Sequence, residues 1–203
     1  MKLYIDFDGT LFDTDRLFGD FIKVCNSYGI TDDRFHEAQQ NFFSKNKLFN
    51  IGPVIEYLVE KYNIIDSIYS DIDALFNDSY LFEDVLDSLK ELIDQGHELY
   101  MLTYGNFEFQ KRKIDGAKIK NYFKDIIITE FNKSELNFDK ANSIIIDNNP
   151  KEIFELYKSG YNVVRIRRAT DKYSSLNTNI SDVTECVDFK QVVDLMKGNV
   201  NNG

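Results

Sequence analysis

The chain moves between two hydrophobic rhythms. Near its start, Leu3-Tyr4-Ile5 is a short apolar run ending in Asp6-Phe7-Asp8-Gly9-Thr10. An apolar run stopped by turn-forming residues predicts a buried strand that feeds a loop. From residue 16 to about residue 79 the rhythm becomes helical. Phe18, Phe21, Ile22 and Cys25 recur at helical spacing, and so do Val54, Tyr57, Leu58 and Tyr62, after Pro53 in a first turn. This block predicts about four helices and no strand.

Beyond it the two rhythms alternate. A helix is predicted over 83–95, with Val85, Leu86, Leu89, Leu92 and Ile93 on one face and Gly96 as its stop. Strands are predicted over 98–103, 126–129, 144–147 and 163–166, with a short one over 185–187. Helices are predicted over 107–117, 150–159 and 189–197, and the chain from Gly198 is predicted to fray. Strands alternating with helices imply an α/β fold, a Rossmann-like parallel sheet with helices on both faces. The helical block interrupts that alternation after the first strand, so it reads as an inserted, small all-helical cap domain. The expected division is a core of 1–15 and 80–198, a cap of 16–79, and a flexible tail of 199–203.

Composition narrows the partners. A chain of 203 residues with 43% hydrophobic and 29% charged residues can bury a core without staples. The formal net charge of −10 excludes a basic nucleic-acid footprint and a polybasic membrane patch. Recognition of a phosphate must therefore be local, through a metal, a lysine or backbone amides. Cys25 and Cys186 lie far apart, which argues against a disulfide framework and for a reducing compartment. The first residues lack the apolar stretch of a signal peptide, and no run of about 18 apolar residues occurs. A soluble, cytoplasmic protein is expected, with no nucleic-acid or membrane partner. His36 and His97 are expected on the surface, without a catalytic role, and Cys25 and Cys186 as small apolar packing residues.

In an open parallel sheet, ligands bind outside the carboxyl ends of the strands. Those ends carry a consistent chemistry here. Asp6 and Asp8 follow the first strand, Thr103 ends the second, Lys133 comes shortly after the third, and Asp147 ends the fourth. Three carboxylates, a hydroxyl and an ammonium at one edge suit a hard cation and a phosphoryl group. Asp6 and Asp8, two residues apart, face the same side of an extended backbone. One can attack while the other handles the leaving group's proton. Gly9 lets the chain turn sharply after them.

With these residues in place, a resemblance becomes specific. Asp6-Phe7-Asp8-Gly9-Thr10-Leu11-Phe12-Asp13 resembles the first motif of the haloacid dehalogenase-like hydrolase superfamily. Leu102-Thr103-Tyr104-Gly105-Asn106 resembles its second motif, Lys133 stands where its third is expected, and Ile145-Ile146-Asp147-Asn148-Asn149-Pro150 resembles a variant of its fourth. The resemblance covers about 1–15 and 80–190. It implies an Asp6 nucleophile that forms an aspartyl-phosphate. It implies an Asp8 that protonates the leaving alcohol and then activates water. Thr103 would hydrogen-bond a phosphoryl oxygen and Lys133 would offset charge. Mg²⁺, or Mn²⁺ in its place, would be held by Asp6, the Asp8 carbonyl and Asp147. Backbone amides near Phe7, Asp8 and Tyr104 would hold the remaining substrate oxygens. The dehalogenase branch lacks an acid at the position of Asp8, so the implied reaction is hydrolysis of a small phosphate ester. The same motifs leave open a phosphomutase and a catalytically silent binding or regulatory module.

The fourth and third motifs depart from the family pattern. Asn148 replaces a common second acid, which lowers the negative charge available to a metal. Glu152 is expected to close a capping box on Asn149, with Pro150 at the first helical position. Lys133 competes for the third motif with Lys140, Lys111 and Lys113; the last two lie on a helix expected to lead away from the site. Asp13 and Asp15 are expected to cap the first helix of the inserted block. Phe12, Phe18 and Phe49 are open candidates for a pocket lining.

Overall fold

A computed structural model describes residues 1–45 and 48–200. Its centre is a six-stranded parallel sheet in the order β3-β2-β1-β4-β5-β6. The strands are β1 (Lys2–Ile5), β2 (Glu98–Tyr104), β3 (Asp125–Thr129), β4 (Ser143–Asp147), β5 (Asn162–Ile166) and β6 (Thr184–Cys186). The middles of the central strands are apolar because both faces are covered. Leu3 and Ile5 of β1, with Ile144 and Ile146 of β4, join the larger apolar core on one face. Tyr4 and Ile145, the intervening residues, join a smaller one on the other face.

Helices α1 (Thr14–Ser27), α2 (Asp32–Lys45), α3 (Ile51–Tyr62) and α4 (Ser67–Leu75) follow β1 as one block. Then come α5 (Val85–Asp94), α6 (Phe107–Ala117), α7 (Pro150–Lys158) and α8 (Phe189–Val200). Residues of α5, α6 and α8 cover the larger core's face of the sheet, while Leu156 of α7 covers the other. Phe21, Val54 and Leu58 of the helical block share that larger core, so apolar packing runs unbroken from the block into the sheet. Short 3₁₀ turns occupy Lys120–Tyr122 and Lys133–Glu135.

Local signals account for most boundaries. Asp13 caps α1 by accepting from the Arg16 amide at 3.0 Å, and Asn50 caps α3 by accepting from the Gly52 amide at 3.1 Å. Gly96 ends α5 with φ +84°, a left-handed turn open to glycine at little cost. Helix α5 begins two residues later than its pattern suggested, and Leu86 and Ile93 are 45% and 40% exposed, so its buried stripe is narrower. Helix α8 continues past residue 197 to Val200; the rest of the expected tail, 201–203, lies outside the described residues.

One histidine departs from expectation. His97 is buried, with both ring nitrogens unpartnered, rather than on the surface. The Gly96 turn folds the chain back so that the His97 amide donates to the Leu92 carbonyl at 3.1 Å. The next residue already pairs with Lys2 in the sheet. Burial, with a smaller effect from the chain's amino terminus, holds its pKa below the ordinary 6.5. His36 is exposed, as expected.

Candidate active site

Strand register builds the floor of the site. Ile5 pairs with Ile146 on one side and Met101 on the other, so Asp6 stands level with Asp147 at neighbouring strand ends. The Asp6 amide extends the ladder by donating to the Ile146 carbonyl at 2.8 Å. Lys133 enters from the 3₁₀ turn after β3 and closes the pair. Its ammonium donates to Asp6 Oδ1 at 2.5 Å and to Asp147 Oδ2 at 2.6 Å, with all three side chains buried. Among the competing lysines, Lys140 bonds the Ser159 carbonyl and Lys111 pairs with Asp115, both on the surface.

Asp8 is held separately. Its Oδ1 accepts from Thr14 Oγ1 at 2.6 Å and from the Lys113 ammonium. Its Oδ2 accepts from Gln110 Nε2 at 2.7 Å. The helix carrying Lys111 and Lys113 therefore does not lead away from the site. Lys113 is 2% exposed and lies over the rings of Phe7, Phe12 and Phe109. The sequence held a signal for this. Gln110 and Lys113 occupy the same buried stripe of α6 as Phe109 and Ile114, where apolar residues would be ordinary.

Gln110 also reaches the second motif. Its Nε2 lies 3.1 Å from Thr103 Oγ1 and 2.8 Å from the Tyr104 carbonyl. Thr103 is fully buried behind it and does not border the cavity, so its hydroxyl sits in a network with Asp8 and not at an open surface. Tyr104 does border the cavity and is 41% exposed. Phe7 lies in the core, and its carbonyl accepts from the amides of Leu11 and Phe12, both at 2.9 Å, which tightens the loop after β1.

A segment after β5, which sequence reasoning left unassigned, completes the rim. Arg165 is fully buried and donates to the carbonyls of Asn148, Tyr173 and Leu176 and to Glu185. Arg168 bonds the Thr10 carbonyl at 2.9 Å and Asp84 at 3.0 Å. Anchored in this way, the segment brings Asp171 to Asn148, whose Nδ2 donates to Asp171 Oδ2 at 2.8 Å. Gly9 lies under this pair with φ +73°; a Cβ there would stand 2.1 Å from Asn148 Nδ2. Thus Asn148 removes a charge from the fourth motif while it holds another acid beside it. Nothing in the polar run around Asp171 marks it from sequence alone.

Glu152 does not close the expected capping box. The Asn149 amide that it would accept from donates instead to Asp147 Oδ1 at 2.8 Å. Asn149 itself caps α7 through the Lys151 amide, with Pro150 in the first turn. Glu152 remains half-buried beside the site. Burial, and then the nearby Asp147, raise its carboxyl above the ordinary range.

The electrostatics follow from crowding charges out of water. Burial pushes Asp6 upward, Lys133 pulls it back, and Asp147 pushes it up again, leaving it raised. Burial lowers Lys133, but the adjacent Asp147 and Asp6 carboxylates outweigh it and raise it. Asp8 is also desolvated, yet the Lys113 ammonium and its hydrogen bonds hold it below the usual carboxylate range. Three carboxylates thus face two ammoniums, with Asp6, Asp147 and both lysines buried and Asp8 half-buried. Among the described residues, no three His, Cys, Asp or Glu side chains stand close enough to hold a metal ion by themselves. A cation of the Mg²⁺ type fits two carboxylates plus a backbone carbonyl, because it keeps several waters. The hard oxygen donors suit it.

These groups open into a cavity of about 520 Å³, bordered by Asp6, Asp8, Lys113, Lys133, Asp147 and residues of the helical block. The arrangement can present a buried carboxylate as nucleophile and a second one for proton transfer within one cavity.

Comparison with known proteins agrees with this geometry. Among solved structures, the HAD-hydrolase YfnB from Bacillus subtilis, provisionally so identified and bound to magnesium, is 16% identical with a TM-score of 0.64, covering 96% of this chain and 97% of its own. A provisionally identified β-phosphoglucomutase from Thermotoga maritima is 14% identical with a TM-score of 0.67, covering 97% and 98%. An L-2-haloacid dehalogenase from Xanthobacter autotrophicus is 13% identical with a TM-score of 0.66, covering 97% and 98%. At such identities these likenesses speak to the fold. No curated protein matches the sequence. The model of the haloacid dehalogenase-like hydrolases matches residues 4–153, from the first strand through the Asp147 strand end and into α7. With its parallel sheet and its strand-end acids in the family's order, the chain belongs to the haloacid dehalogenase-like hydrolase family.

Proposed function

We propose that this hydrolase is a Mg²⁺-dependent phosphomonoesterase acting on a small phosphorylated metabolite through a phosphorylated Asp6. The observation that carries the reading is the separate holding of Asp8. Halide departs without a proton, whereas an alkoxide needs one. A site built only to displace halide has no use for a second carboxylate gripped by Thr14, Gln110 and Lys113.

In the first step an Asp6 carboxylate oxygen attacks phosphorus and the ester P–O bond breaks. The leaving oxygen takes a proton carried by Asp8. In the second step the Asp8 carboxylate takes a proton from water as that water attacks phosphorus. The bond between the Asp6 oxygen and phosphorus then breaks, releasing phosphate and leaving Asp6 as a carboxylate and Asp8 protonated. Lys113, Thr14 and Gln110 hold Asp8 ionised in the resting protein, the state the second step requires. For the first step Asp8 must gain a proton, which the negative charge of an arriving phosphate favours. Lys133 keeps Asp6 aimed along the strand end and offsets charge as the phosphoryl group arrives. Asp6, the Asp8 carbonyl and Asp147 would hold the Mg²⁺, which screens repulsion between nucleophile and phosphate. Helices α1–α4 act as a cap over the cavity and limit the substrate to a small molecule. The setting of these steps is a soluble cytoplasmic protein; among the described residues no helix is long and apolar enough to cross a membrane.

The test is phosphate release from an aryl phosphate and a metabolite panel, with Mg²⁺ and with chelator, for wild type and Asp6→Asn. Chloride release from 2-chloropropionate is followed in parallel. Mg²⁺-dependent phosphate release that vanishes in Asp6→Asn supports the proposal. Chloride release without phosphate release would sink it. Phosphate transfer between positions of a sugar phosphate, primed by a bisphosphate, would instead make it a mutase.

A further inference from the structure

The cavity's floor and its opposite wall differ in kind. The wall is made of phenyl rings from separate helical segments: Phe18 in α1, Phe43 in α2 and Phe49 just before α3, backed by Phe109 of α6. Phe49 is the hub. Its ring centroid lies 4.9 Å from that of Phe18, 5.4 Å from Phe43 and 5.2 Å from Phe109. A purely structural cluster would be sealed. This one borders the cavity, and Phe43 is 44% exposed. Gln39 stands one helical turn before Phe43 and also borders the cavity. Its Oε1 lies 3.5 Å from His36 Nδ1, the limit of a hydrogen bond.

We infer that this wall is the subsite for a planar aromatic ring on the substrate, so that the preferred esters are monophosphates bearing a nucleobase or aryl ring and not sugar phosphates. The inference rests on the phosphatase reading above and names its substrate class. Flat rings stack on phenyl faces regardless of their substituents. A sugar set against the same wall would strip water from its hydroxyls with little to replace it. A saturated chain would cover the rings but offer no hydrogen bond to the Gln39 amide. The edge of a heterocycle satisfies both. The volume of about 520 Å³ lies inside the range of about 300–1,000 Å³ typical of small-molecule sites.

The experiment compares kcat/KM, with Mg²⁺, for uridine 5′-monophosphate, adenosine 5′-monophosphate, 1-naphthyl phosphate, glucose 6-phosphate and acetyl phosphate. Wild type is measured beside Phe43→Ser and Phe49→Leu. The first variant removes an exposed ring; the second keeps apolar volume but loses the flat face. Ring-bearing esters should exceed glucose 6-phosphate by about tenfold or more, and each variant should cut that ratio by about fivefold or more. A nucleotide preferred over 1-naphthyl phosphate assigns a nucleobase, the reverse a plain aryl ring, and either supports the subsite. If acetyl phosphate is hydrolysed while glucose 6-phosphate matches the ring-bearing esters, the subsite is overturned and the phosphatase reading stands. If no ester is hydrolysed, the phosphatase reading falls and calorimetric binding of the same compounds decides. Tighter binding of the ring-bearing compounds, weakened in both variants, keeps the subsite; equal binding removes it.

Discussion

The two sides of the cavity are held by different physics. The strand-end floor is polar and over-determined: Asp6, Lys133 and Asp147 are fixed by sheet register and by one another. The helical side is apolar and adjustable, with rings that meet edge-on, tilted and partly exposed. Charges in a low-dielectric floor tolerate little displacement, because an unpaired buried charge is costly. Phenyl contacts are individually weak and can shift without a comparable penalty. The proposed chemistry therefore falls on the rigid side, and selection among substrates is suited to the side that can vary.

Four further changes put this comparison under strain, in decreasing order of expected effect. Lys133→Met leaves Asp6 and Asp147 buried together without a counter-charge and should cost about 3–5 kcal/mol of stability. Urea unfolding measures it, and a loss below about 1 kcal/mol would show that the floor relaxes as readily as the wall. Lys113→Met strands Asp8 in the same way, but Thr14 and Gln110 still donate to it, so the cost should be smaller, about 2–3 kcal/mol.

Backbone substitutions probe the seams of the two regions. Gly116→Ala would place a Cβ 1.9 Å from the Phe76 carbonyl, where α6 meets the end of α4. Neither backbone can give way cheaply, so a loss of about 1–3 kcal/mol is expected in thermal unfolding. An unchanged melting temperature would mean that the helical block moves freely relative to α6.

The smallest effect is a control remote from both sides. His97 has a lowered pKa when folded, so the unfolded state binds its proton more tightly. Its contribution is fully present above pH 6.5, the ordinary value, and is lost as pH falls from there toward the folded-state value. His97→Phe should flatten the fall in stability as pH drops below 6.5, as read from urea midpoints between pH 7 and pH 5. An unaltered slope would show that the imidazole finds a partner in solution.

How much of this was legible varies with the element. Leu3-Tyr4-Ile5-Asp6 announces a strand and its acidic carboxyl end together, because a buried parallel strand is apolar until it reaches the ligand edge. Lys133 could be placed by the same logic, since the descent from one strand end begins there. Lys113 was misread because, on a helix, a lysine in the buried stripe differs from an exposed one only by its phase. Its partner Asp8 lies 105 residues away. His97 was misread for a related reason: a polar residue after a helix stop is ordinarily exposed, whereas here the chain folds straight back into the pairing of β2 with β1 and the side chain is buried. The capping role of Glu152 failed by competition, since Asp147 takes the amide first.

By itself, then, the sequence determined the α/β alternation, the helical block after β1 and the acids at the strand ends. These depend on periodicity and on residues close to one another along the chain. Tertiary structure decided which lysine serves which carboxylate and that Thr103 lies behind Gln110. It also decided that Asp171 reaches Asn148, and that phenyl rings from separate helices form one wall. Each is a meeting of side chains far apart in sequence, and such meetings are set by how helices rotate and loops return when the core closes.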